Sequence, residues 1–99
     1  MAKQARKDDL CFGTCVCHKS SRELSGKIHT VSRTVKCNSK GVARITDLVM
    51  ADDGHIGIII SGSETVLANG LGVARVGDSF VGCYSGSIIE GSPNTNTGG

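Results

Sequence analysis

Apolar residues in this chain fall in short bursts, and none recurs near every 3.6 residues for long enough to build a substantial helix. Gly57 to Ser63 is β-branched and bounded by glycine, which reads as a strand. Thr65-Val66-Leu67-Ala68 then leads into Asn69-Gly70, a hairpin signal because both residues tolerate positive φ. Val73-Ala74-Arg75-Val76 runs back, and Gly77-Asp78 turns again. The longest apolar run, Ile56 to Ile60, is strand-sized and well short of the ~20 residues that a membrane helix needs. The pattern predicts an all-β chain.

The strands repeat. Residues 26–47, GKIHTVSRTVKCNSKGVARITD, align without a gap on residues 57–78, GIIISGSETVLANGLGVARVGD. Gly26/Gly57, Ile28/Ile59, Ser32/Ser63, Asn38/Asn69, Gly41/Gly72, Ala43/Ala74, Arg44/Arg75 and Asp47/Asp78 all coincide. A further copy opens at Gly86 as GSIIEGSPN, and its missing second half stands at the other end of the chain. There, Ala5-Arg6-Lys7-Asp8-Asp9 repeats Ala-Arg-x-x-Asp. The expectation is a single domain over 1–99 holding three circularly cut repeats, about 5–32, 43–63 and 74–92. One such repeat cannot bury its own apolar face. Three around an axis can, with Ile28, Ile59 and Ile88 as equivalent inward residues. Closing the circle requires the two ends of the chain to pair near each other.

Composition adds a constraint. The chain has 99 residues, 38% of them apolar, with no Trp and only Phe12, Phe80 and Tyr84 as aromatics. So small a core usually needs a disulfide, a metal or a docking partner. The net charge of +2 is unremarkable, and Lys3, Arg6 and Lys7 read as a solvated basic end rather than a nucleic-acid arm. The first nine residues contain no apolar segment of the secretory type, so synthesis in a cytoplasm is expected. In that compartment five cysteines favour thiolate ligands over a disulfide framework.

Residues 10–25, 48–56 and 79–85 join each Asp to the next Gly and read as three loops at one end of the axis. They hold six of the eight Cys and His residues: Cys11, Cys15, Cys17, His18, His55 and Cys83. Converging soft and borderline donors suit a closed tetrahedral zinc site. The expected metal ligands are Cys15, His18, His55 and Cys83, with Cys17 or Cys11 able to stand in for Cys15. His29 and Cys37 lie outside the loops and align with strand residues, which favours packing, although His29 stays open as a ligand. No catalytic Cys–His pair with an orienting third group is evident, and no glycine cluster precedes a helix to cradle phosphate. An enzyme is not expected.

The stretch Ile59 to Asp78, IISGSETVLANGLGVARVGD, resembles the core of PAAR-repeat proteins, whose pattern is I-x-x-GSP-x-V-x-x-NG-x-PAAR-x-GD. The name-giving tetrapeptide reads Gly41-Val42-Ala43-Arg44 and Gly72-Val73-Ala74-Arg75, so its proline and first alanine are missing. The resemblance implies a small cone-shaped pseudo-threefold β-repeat with a metal-stapled apex, holding one structural metal ion, zinc or alternatively iron. It also implies a non-enzymatic membrane-piercing tip that caps a trimeric β-helical spike through its base. The spike would be the central spike of a contractile phage tail baseplate, with the tip made in the host cytoplasm and carried in the virion. A VgrG-like spike of a type VI secretion system is the alternative. Expected partners are that trimer and the target outer membrane, with no nucleic acid, and the chain itself is expected to be a monomer. The sequence shows no domain beyond the repeats, which favours a bare phage tip. A competing class is a free-standing zinc-binding nucleic-acid or interaction module.

Overall fold

A computed structural model describes residues 2–17, 22–37, 40–92 and 96–97. Among these the chain is all-β, with no helix. In chain order the strands are β1 (Ala2–Lys3), β2 (Leu10–Cys15), β3 (Arg22–Ile28), β4 (Lys36–Cys37), β5 (Lys40–Gly41) and β6 (Leu48–Ala51). They continue as β7 (Ile56–Ile59), β8 (Leu67–Ala68), β9 (Leu71–Gly72), β10 (Ser79–Gly82), β11 (Tyr84–Ile88) and β12 (Asn96–Thr97).

Six of them close into a barrel in the order β10-β11-β2-β3-β6-β7, every neighbouring pair antiparallel. The barrel is three hairpins, β2–β3, β6–β7 and β10–β11, set side by side. The stretches expected to be loops are therefore largely strand. Cys11-Phe12-Gly13-Thr14-Cys15 alternates in burial along β2, but its inward positions are cysteine and glycine, which carry little apolar signal. Period-two burial is present there without the Val and Ile that announce it elsewhere.

The barrel is narrow, and its inside is filled by side chains. Ile28, Ile59 and Ile88 are fully buried, together with Val49, Phe80 and Tyr84. The Phe80 and Tyr84 rings lie 4.9 Å apart, inclined at 42°. The Tyr84 hydroxyl donates to the Leu24 carbonyl at 2.8 Å, so the largest buried side chain leaves no polar atom unpaired. Burial, helped by Cys11, pushes the Tyr84 hydroxyl pKa up to about 12. Gly57 faces this packing, and a Cβ there would lie 2.8 Å from Phe80 Cδ2 and 2.3 Å from the Tyr84 carbonyl oxygen.

At the opposite end from the hairpin tips, three peptides form a ring. Ala5 N–H donates to Ala74 O at 3.1 Å, Ala74 N–H to Ala43 O at 2.8 Å, and Ala43 N–H to Ala5 O at 3.1 Å. All three alanines are wholly buried, which leaves no room for a larger side chain at the axis. Each is followed by an Arg-x-x-Asp turn, in which the Asp N–H donates to the Arg carbonyl. The third residue of each turn has positive φ: Asp8 at 68°, Thr46 at 81° and Gly77 at 96°. Each Asp carboxylate accepts from the backbone N–H and Nε of its Arg, and a guanidinium terminal nitrogen completes the pairing. These hydrogen bonds, against the opposing cost of burial, hold Arg6, Arg44 and Arg75 further above their ordinary pKa.

Thr46 is a β-branched residue in the left-handed region, where glycine serves the equivalent turn at Gly77. Its side chain is exposed, so Thr46→Gly removes strain without opening a cavity. The variant is expected to gain about 1 kcal/mol in urea unfolding. A loss of stability would show that the Thr46 side chain contributes more than its backbone costs.

Two-residue ribbons project from this end: β4–β5, β8–β9 and β1–β12. Asn69 and Gly70 turn the second with φ of 54° and 79°, as their sequence predicts, while the matching Asn38-Ser39 falls outside the described residues. Ala2 opposite Thr97 and Lys3 opposite Asn96 bring the chain ends together.

Candidate metal centre at the hairpin tips

The tips of the three hairpins carry the donor atoms. Strand β2 ends at Cys15, whose side chain is fully buried. The β6–β7 turn is Asp52-Asp53-Gly54-His55, closed by Ala51 N–H to His55 O at 2.8 Å, with Gly54 at φ 90°. Asp53 folds back within it, accepting from the His55 backbone N–H at 3.0 Å. These turns aim the His55 ring at Cys15: Nδ1 lies 3.1 Å from Cys15 Sγ and 3.0 Å from Asp53 Oδ2.

The donor atoms of Cys15, Asp53 and His55 all lie within 4.8 Å of one another. A single Nδ1 proton can serve either the sulfur or the carboxylate, whereas a cation among the three satisfies all of them. Zinc bonds of about 2.3 Å to sulfur and about 2.0–2.1 Å to nitrogen place tetrahedral S and N ligands about 3.5 Å apart. The observed Sγ–Nδ1 separation of 3.1 Å is somewhat shorter, so an ion would spread the pair slightly. One thiolate, one imidazole and one carboxylate is a donor set that fits zinc, so these residues could hold a metal ion.

The site differs from the sequence expectation in several places. The structure brings Cys15 and His55 together, with Cys15 on a strand rather than in a loop. Cys83, expected to be a ligand, is instead bonded to Cys17, and a disulfide sulfur has no thiolate to offer. The same bond removes Cys17 as a stand-in and places a disulfide where the sequence favoured thiolate ligands. The reason lies in the ladder. Tyr84 pairs with Cys15, and Val16 N–H donates to Cys83 O at 2.7 Å, which sets the Cα atoms of Cys17 and Cys83 5.1 Å apart.

Cys11 is no substitute either. It sits in the barrel core, where burial, with Asp9 adding to it, pushes its thiol up to about 12. His18 lies outside the described residues. His29 is exposed beyond the end of β3, next to the Arg-x-x-Asp turns, and Cys37 packs with Val42, Ala68 and Val73. Asp53 was not foreseen. Its signal was a carboxylate two residues before a histidine across a glycine turn, which lets both donors face one point.

Two shallow grooves mark the surface, one lined by Val31, Arg33, Thr34, Arg44 and Asn69. The other includes Asp8, Lys27, His29, Met50 and Asp52, and neither is lined by Cys15, Asp53 or His55. The molecule is thus a small closed β-structure with a donor cluster at one end and a threefold hydrogen-bonded ring at the other. The family model for the PAAR motif matches residues 50–99, half of the chain, and the chain belongs to that family. A search of curated proteins found no match.

Proposed function

We propose that this protein is the non-enzymatic tip of a contractile injection machine, its ring end capping a trimeric β-helical spike and its hairpin tips leading. The observation that carries this reading is the cyclic Ala5–Ala74–Ala43 bonding. A single chain thereby offers three near-equivalent edges, which suits a partner with true threefold symmetry. Family membership supports the same role. The division into three repeats, 5–32, 43–63 and 74–92, and the monomeric state of the chain belong to this reading. The same base would fit the central spike of a phage tail, placing the protein in the virion, or a VgrG-like spike of a type VI secretion system. In either machine a rigid apex would concentrate the sheath's force on the target outer membrane.

In this reading Cys15, His55 and Asp53 hold one zinc-type ion, with His18 as the further donor that the sequence offers. The ion supplies cohesion between the first two hairpins, and no reaction is assigned to it.

The test is co-purification of the chain with a trimeric β-helical spike protein. Stable capture of one chain per trimer is expected, whereas failure to bind a trimer together with a DNA shift at moderate salt would sink the proposal. Metal analysis tests the site separately. Wild type is expected to carry about one metal per chain, with His55→Ala and Cys15→Ser reduced to under about half of that and melting at lower temperature. Undiminished metal in both variants would rule the cluster out.

A further inference from the structure

We propose that Cys17–Cys83 is a redox-reversible staple, separate from the metal cluster, that locks the third hairpin tip to the first. The donor cluster joins only two of the three tips: Cys15 stands on the first hairpin, Asp53 and His55 on the second. Among the described residues no donor atom of that cluster comes from β10–β11, although the Cys15 backbone pairs with Tyr84. The disulfide adds a covalent side-chain link to the backbone pairing there, since Cys17 follows β2 and Cys83 is the turn between β10 and β11. Metal and disulfide together connect all three tips, each through different side chains.

Access also separates the pair from the other thiols. Cys17 is exposed and Cys83 is half-buried, while Cys11, Cys15 and Cys37 are buried. A soluble thiol or disulfide can therefore reach the Cys17–Cys83 pair in preference to the rest. The backbone already holds the two Cα atoms 5.1 Å apart through the β2–β11 ladder, so closure needs no rearrangement of the strands.

The chemistry balances with a small-molecule disulfide as oxidant. The Cys17 thiolate attacks one sulfur of the reagent and expels a thiolate. The Cys83 thiolate then attacks the mixed disulfide and expels the second. One S–S bond is broken and one is formed; the two protein thiols lose two electrons, the reagent gains them, and the thiol protons pass to the products. In a reducing compartment the equilibrium runs the other way. The staple therefore opens where thiols dominate and closes once the tip meets an oxidising medium. It closes a chain separation of 66 residues, so it removes substantial freedom from the unfolded chain.

The location rests on the tip reading, but the test does not need a spike partner. The full chain, loaded with zinc, is equilibrated with reduced or with oxidised glutathione. After an acid quench and unfolding in denaturant with a chelator, five alkylatable thiols are expected for the reduced chain and three for the oxidised one, with Cys17 and Cys83 identified as the lost pair by peptide mass. Oxidation is expected to raise Tm by at least about 10 °C in wild type but not in Cys17→Ser. Bound zinc, followed with a chromogenic chelator, is expected to stay on the protein. Persistence of all five thiols, loss of a different pair, an equal rise in Cys17→Ser, or release of zinc on oxidation would each overturn the proposal. The thiol count on wild type stands even if the variant folds poorly. A chain that forms the disulfide but binds no zinc would refute the metal reading and leave the staple intact.

Discussion

Asp9→Ala is expected to lower the unfolding free energy by about 3–5 kcal/mol, because a buried guanidinium loses its carboxylate. The Asp9 side chain is 1% exposed and that of Arg6 11%, so water cannot replace the lost carboxylate. Asp9 also takes the Arg6 backbone N–H at 2.8 Å, so its loss loosens the turn as well as the ion pair. A fold of this size has about 5–15 kcal/mol in total, and the variant should approach its limit. The equivalent pairs grade the effect. Arg44–Asp47 and Arg75–Asp78 are more open, at 19% and 6% and at 20% and 9%, so Asp47→Ala and Asp78→Ala should cost less. Urea denaturation followed by circular dichroism measures all three. A cost below about 1 kcal/mol for Asp9→Ala would mean that the pair behaves as a surface ion pair.

Gly13→Ala should be comparably damaging, by overcrowding rather than by loss of a partner. Gly13 faces Gly86 across the β2–β11 ladder, and a Cβ on Gly13 would sit 2.2 Å from the Ser85 carbonyl oxygen and 3.0 Å from Gly86 Cα. Both obstacles are backbone, so no rotamer change relieves them. The strands must separate at the seam that also positions Cys15 and Cys83. A cost of about 3 kcal/mol or more is expected, against within ±0.5 kcal/mol for Ser87→Ala, half-exposed on the same strand pair. Near-wild-type stability for Gly13→Ala would show that the strands lie further apart than described.

The repeat made the threefold plan legible, because Ala-Arg-x-x-Asp and the inward isoleucines recur as words in the sequence. The buried Ile28, Ile59 and Ile88 and the Asn69-Gly70 turn follow directly from residue types with narrow conformational preferences. The strands around Cys11 and Cys15 did not, since glycine and cysteine at inward positions look like loop chemistry until a narrow barrel explains them. At the site, Cys15 and His55 stood out because soft donors are rare. The disulfide depended on a register, Tyr84 opposite Cys15, that spacing along the chain does not encode. Asp53 was hidden by the abundance of carboxylates on any surface.

The alanine ring also sets an order of events during synthesis. Ala5 is made first, yet its N–H must wait for the carbonyl of Ala74, and Ala2 waits for Thr97. At about 5–20 residues per second, that wait lasts about 5–20 s on the ribosome. Each hairpin can form as it emerges, but the nascent chain stays an open arc until β11 arrives to pair with β2.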